Sequence, residues 1–396
     1  MGNRKLVLIA FALLFGIIRL YASDYPTILL YHKVYNDKGI YPELDLNNVA
    51  SDYTADGLMV TGKENIIHLN KYYSLGERTV RYHVKFSPDA TAVFQSNSGD
   101  FKVVINVSEK TFSLQTNPAI WKKIDFLNPD NEYLIEISHK YQTNKISIID
   151  ISTGQKEEFD ATNDGQGGYL TGAVNGGFSV GLQHDYYCFG LLSGTSLLVK
   201  QMSVISGLCD LILLMYGDSI TEPEGYYPTS VFSQAWTQLI LNNIKGRALC
   251  SGRGGCTIKE VLERIKNELP YVKAKYVMVT IGTNGGNTEA NLSELVEYII
   301  SKGSIPILNN IPSNDRGTQI EVNKMIDKVR DKYKINGCKF DLATSLEGDG
   351  KEVDKATMYY EDLSKTHNWH VYHHPNVKGS HKMYIRTLID IPEIYE

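Results

Sequence analysis

The sequence has no surplus of positive charge: 40 lysines and arginines stand against 45 aspartates and glutamates, for a net charge of −5. With no basic stripe to draw the chain to a phosphate backbone, nucleic acid is set aside as a partner. Cysteine is scarce and odd in number. Cys188, Cys209, Cys250, Cys256 and Cys338 cannot complete an intramolecular disulfide framework, and their spacing fits no zinc site. They read as buried free thiols, with a Cys250–Cys256 bridge as the alternative. After the first 23 residues no apolar run is long enough to cross a bilayer as a helix. Internal repeats and low-complexity linkers are also missing, which predicts domains that abut.

What is present begins at the N-terminus. Arg4 and Lys5 precede the run LVLIAFALLFGII, and the small residues Ala22 and Ser23 follow. Residues 1–23 therefore read as a secretory signal and the protein as exported, to the periplasm, cell surface or medium. An uncleaved anchor is the other reading, disfavoured because the run falls short of the ~20 residues of a spanning helix.

From about residue 60 to 205 the hydrophobic pattern has a period of two. RTVRYHVKF puts Val80, Tyr82, Val84 and Phe86 on one face, and FKVVINV does the same with Phe101, Val103, Ile105 and Val107. Similar runs start at Tyr133, Lys145, Gly177 and Ser196, separated by turn residues such as SPDA, NPDN and STGQ. Many short strands with no helix between them predict a β-sandwich over residues 24–206.

Beyond Gly207 apolar runs alternate with segments of helical period. Strands are expected at 210–216, 247–250, 275–281, 304–309 and 338–342, and helices at 231–244, 257–268, 288–302, 317–334 and after Pro375. This βα alternation predicts a parallel sheet covered by helices on both faces over residues 207–396. In such a sheet ligands sit beyond the carboxyl ends of the strands. The first strand, LILLMYGDSIT, ends there on Ser219. The second leads into the glycine-rich CSGRGGCTI, the third into IGTNGG with Asn284, and HHPNVKG places His374 just before a helix. A serine nucleophile, a histidine base and donors for an oxyanion are the parts that acyl transfer needs.

These four blocks, in this order, resemble the SGNH or GDSL-type serine hydrolases over about residues 208–390. The resemblance implies a three-layer, flavodoxin-like α/β fold. It also implies Ser219 as nucleophile, His374 as base, and an oxyanion hole made of the N–H groups of Ser219 and Gly255 with the side-chain amide of Asn284. No metal or cofactor is implied. The family usually carries an aspartate three residues before the histidine, and here that position is Val371. A dyad of Ser219 and His374 is expected, with Asp362 as a third member and Glu361 or a main-chain carbonyl as alternatives. His370 and His373 lack the Pro-Asn-x-x-Gly that follows His374.

Trp236 reads as core and Asp218 as a turn and cap residue. His367, His370, His373, His374 and His381 are dense enough to suggest zinc, but no carboxylates at ligand spacing accompany them. The preceding sandwich resembles jelly-roll modules of the concanavalin or laminin-G type, which often bind glycans. Tyr72–Tyr73 and Tyr186–Tyr187 either stack on sugars or fill the sandwich. The expected activity is removal of acetyl or other small acyl groups from carbohydrate. A lipase or thioesterase, and a glycan-binding protein with a weakened site, are the competing readings.

Overall fold

The computed structural model describes residues 28–36, 41–96, 102–115, 120–162, 187–362 and 369–396. The expected signal segment, the strand at Gly177, Phe101, Tyr186 and His367 lie outside the described residues.

Two antiparallel sheets come from the first half of the chain. One orders its strands Lys156–Thr162, Thr143–Asp150, Tyr133–Lys140, Glu77–Phe86, Ser196–Ser206, Gly57–Thr61 and Ser51–Thr54, with Ile28–Val34 also pairing with Ser196–Ser206. The other orders Ile120–Lys123, Thr111–Gln115, Lys102–Asn106, Thr91–Gln95, Cys188–Ser193, Asn65–Leu69 and Leu44–Asp45. Alternation decides which face is inside: along Glu77–Phe86 every second residue is buried, including Val80, Tyr82, Val84 and Phe86. The inner faces meet at aromatic contacts, with the Tyr82 ring 4.9 Å from Phe94 and 5.5 Å from Phe189 on the opposing sheet.

The second half builds a four-stranded parallel sheet in the order Ala248–Gly252, Leu211–Gly217, Ala274–Thr280, Ile305–Leu308. Alternate residues of each strand serve opposite faces. Leu214, Tyr216, Val277 and Val279 pack with the helices Ile258–Val272, Glu289–Ser301 and Gln319–Tyr333. Leu213, Met215, Tyr276 and Met278 pack with Trp236–Asn243, Phe340–Thr344 and Val377–Asp390. Burial on both faces is why these strands read as unbroken apolar runs. Trp236 is core as expected, its indole N–H donating to Ile220 O at 2.8 Å.

Two elements differ from expectation. The strand anticipated at 338–342 contributes one isolated bridge, Asn310 to Lys339, and then becomes the helix Phe340–Thr344. Phe340 and Thr344 are four apart and both buried, so helical spacing fits this short segment better than a ladder. The second is a hairpin that the pattern did not reveal, Tyr360–Asp362 against Trp369–Val371. All five cysteines are free and buried. Among the described residues no helix is long and apolar enough to cross a membrane.

Candidate active site

Gly217 closes the first parallel strand, and its φ is not positive. Close approach requires glycine here: a Cβ would lie 2.5 Å from Thr280 O and would also strike the Thr221 side chain. Asp218 organises the turn that follows. Its carboxylate accepts from Ile220 N at 3.0 Å and its carbonyl accepts from Thr221 and Glu222 N–H groups, both at 3.1 Å. Burial raises the Asp218 pKa to about 6.

This turn delivers Ser219 to His374. The serine Oγ and the histidine Nε2 are 2.8 Å apart, across 155 residues of sequence, and the two residues are only 8% and 5% exposed. Burial, followed by the nearby His373 and Arg316, holds the His374 pKa well below that of a free histidine. The imidazole is therefore neutral near pH 7, the form able to accept a proton. Among the described residues nothing bonds to its Nδ1.

The residues after His374 explain themselves structurally. Pro375 O accepts from the Tyr227 hydroxyl at 2.6 Å. Asn376 caps the helix Val377–Asp390, its side chain accepting from Gly379 N at 3.0 Å. A Cβ on Gly379 would come within 2.2 Å of Thr357 O. The Pro-Asn-x-x-Gly pattern is thus a device for seating one histidine.

The remaining expected residues are placed as follows. Gly255 adopts φ +78° with open space around its Cα, so its glycine is required by conformation alone. Asn284 joins that turn, its side-chain amide donating to Cys256 O at 3.1 Å. Asp362 lies in the hairpin opposite Trp369, and its side chain lies outside the described residues. Glu361 pairs with His370, on the hairpin face opposite Tyr360. Val371 pairs with Tyr360, and both join an apolar cluster with Tyr226 and Tyr227. His373 sits 3.5 Å from Asp315, while His381 bonds to Gln234 at 2.6 Å. Among the described residues no group of three or more histidine, cysteine or acidic side chains is placed to hold a metal ion.

Sequence reasoning missed several residues around the pair. Tyr226 stacks on His374 with ring centroids 4.5 Å apart and planes 17° apart, and Tyr360 meets the same imidazole edge-on at 5.9 Å. Arg264, fully buried, donates to Gly217 O at 2.9 Å and Ser251 O at 2.6 Å, tying together the ends of two adjacent strands. Glu222 accepts from Gly254 N at 2.6 Å and lies 3.6 Å from Arg253, which also lies 3.6 Å from Glu224. The available signal was the acidic and aromatic run TEPEGYYPTS directly after the nucleophile.

No protein-family model and no curated protein sequence matches the chain. Among solved structures it is similar to a member of the lipolytic protein G-D-S-L family from Veillonella parvula DSM 2008, at 19% identity and TM-score 0.35. That match covers 46% of this chain and 97% of the other. It is likewise similar to a mutant of Axe2, an acetyl-xylooligosaccharide esterase from Geobacillus stearmophilus, at 17% identity and TM-score 0.34, covering 46% and 94%. A third similarity is to the VIP36 exoplasmic/lumenal domain in a Ca2+/Man3GlcNAc-bound form, at 12% identity and TM-score 0.33, covering 45% and 88%.

Proposed function

We propose that this chain is an exported serine esterase that removes acetyl or other small acyl groups from carbohydrate. In this reading residues 1–23 are a secretory signal, 24–206 a jelly-roll sandwich, and 207–396 a flavodoxin-like hydrolase of the SGNH type. The observation that carries it is the buried 2.8 Å contact between Ser219 Oγ and His374 Nε2 beyond the carboxyl end of a parallel strand.

Ser219 Oγ attacks the ester carbonyl as His374 Nε2 takes its proton. The tetrahedral oxyanion is held by the N–H groups of Ser219 and Gly255 and the amide of Asn284. His374 then protonates the leaving alcohol, activates water against the acyl-enzyme, and returns the proton to Ser219 as the acid departs. Asp362 is proposed as acceptor for Nδ1–H, on its place in the backbone hairpin, where it pairs with Trp369 two residues before Val371. A carboxylate there would fix the tautomer and stabilise the imidazolium.

Two features support a small acyl group on a sugar. Tyr226 and Tyr360 crowd His374, and Ser219 is nearly covered, which favours acetyl over a long chain. On the outer face of the hairpin Tyr359, His370 and Tyr372 form an aromatic cluster with centroids 5.6–5.9 Å apart, a surface suited to the apolar face of a sugar ring. Of the tyrosines first considered for that role, two are otherwise employed. Tyr73 and Tyr187 are buried and the Tyr187 hydroxyl donates to Tyr73 O.

The test is release of p-nitrophenol from acetate, butyrate and octanoate esters by the mature protein beside Ser219→Ala, His374→Ala and Asp362→Asn. Acetate turnover that falls with chain length and drops to background in the first two variants is expected. Asp362→Asn is expected to lose about 10⁴-fold in kcat. A wild type no faster than Ser219→Ala sinks the esterase reading and favours a glycan-binding protein with a disabled site.

A further inference from the structure

The strands Tyr133–Lys140 and Thr143–Asp150 of the sandwich form a hairpin whose two-residue tip is Tyr141–Gln142. Tyr141 takes φ +50°, a left-handed conformation uncommon for a bulky residue. The tip is also nearly buried, and its ring belongs to the apolar cluster beneath the parallel sheet with Leu213, Met215, Ile220 and Trp236. A hairpin tip is ordinarily the most solvated part of a sheet.

Besides the Tyr141 N–H, which donates to Gly76 O at 2.7 Å within the sandwich, the tip's polar contacts lead toward the site. The Tyr141 hydroxyl accepts from Cys250 N at 3.2 Å, and Cys250 O accepts from Gly76 N at 2.7 Å, so the sandwich pairs with the strand that runs into the Gly254–Gly255 turn. Gln142 Nε2 donates to Tyr227 O at 2.5 Å. Tyr227 anchors Pro375 through its own hydroxyl, and its neighbour Tyr226 stacks on His374. At the base of the tip His139 Nε2 lies 3.8 Å from Glu224, which faces Arg253 at 3.6 Å. Arg253 lies equally far from Glu222, and Glu222 accepts from Gly254 N.

We propose that Tyr141 and Gln142 are positioning residues of the esterase site, so that the sandwich holds the histidine loop and the oxyanion turn in register as well as adjoining them. The proposal rests on the esterase reading for its catalytic consequence, and on geometry alone for the mechanical one. An aligned site is sensitive to misplacement of about 1 Å, which costs up to ~10²-fold in rate.

The experiment uses the full mature chain with two near-isosteric changes, Gln142→Met, which removes the donor, and Tyr141→Phe, which removes the acceptor. Trp121→Ala, on an exposed edge position of the sandwich, is the control. Amide hydrogen exchange over residues 222–228 and 250–257 is measured alongside p-nitrophenyl acetate kinetics. Gln142→Met should speed exchange in the first segment and lower kcat about tenfold with KM changed less than twofold. Tyr141→Phe should speed exchange in the second segment, and Trp121→Ala should do neither. Exchange at wild-type rates in both hairpin variants overturns the proposal, as does an unchanged kcat in both. If the wild type hydrolyses no ester, the esterase reading fails by itself and the exchange data still decide the mechanical coupling.

Discussion

At the residue scale, Asp218 and His374 show how burial sets proton chemistry around Ser219. The same desolvation that lowers the imidazole pKa raises the carboxyl to about 6, because in each case the charged form is the one penalised. An aspartate whose folded pKa lies above its unfolded value near 3.8 contributes most to stability below that value, and the contribution is lost as pH rises through about 6. At pH 8 the ionised carboxylate therefore costs about 3 kcal/mol. Asp218→Asn keeps an oxygen able to accept from Ile220 N and should be more stable than wild type at pH 8 by up to that amount. The gain should shrink to nothing below pH 4, and urea unfolding at the two pH values checks this. A gain independent of pH would mean that the carboxyl is not the titrating group.

At the element scale, the helix Ile258–Val272 does more than cover the sheet. Arg264 reaches from it to Gly217 O, Ser251 O and Ser74 Oγ, and Glu268 one turn later accepts from Ser74 N. Both side chains are fully buried. Truncating Arg264 removes donors from Gly217 O and Ser251 O and the cation that favours the Glu268 carboxylate, although Gly217 O keeps Arg253 N and Glu268 keeps Ser74 N and Ser251 Oγ. Breaking a buried charged set of this kind typically costs ~3–5 kcal/mol. Arg264→Ala should lower Tm by several degrees, while Arg330→Ala, which removes a bond to Leu308 O and a pair with the half-exposed Asp327, should cost less. Equal losses would argue against a buried network at Arg264. The βα alternation was legible because strands and helices of this length carry whole periods of two or 3.6. The hairpin at Tyr360–Val371 was not, because two three-residue strands carry too little period to read.

At the scale of the whole molecule, the two halves share one core. Leu30, Tyr31 and Leu75 belong to the same buried cluster as Leu211, Leu214 and Val277, and the helix Ile258–Val272 packs against the strand Ile28–Val34. Asn267 donates to Tyr72 O at 3.2 Å along the same seam. Halves joined in this way lose packing together, so calorimetry should show a single unfolding transition whose enthalpy equals the van't Hoff value. Two resolved transitions would mean that the seam is weaker than its packing indicates.

The sequence by itself determined the rhythm of each half, the strand end that presents Ser219 and the helix start behind His374. Each of these depends on residues adjacent in the chain, where spacing and turn chemistry act directly. Only the tertiary structure decided that Tyr226 would stack on His374, that Arg264 would clamp Gly217, and that a sandwich hairpin would reach Tyr227. Those contacts join segments 47 to 148 residues apart. In the sequence each such partner is an ordinary tyrosine, arginine or glutamine. Its role appears only once packing removes the water that would otherwise satisfy it.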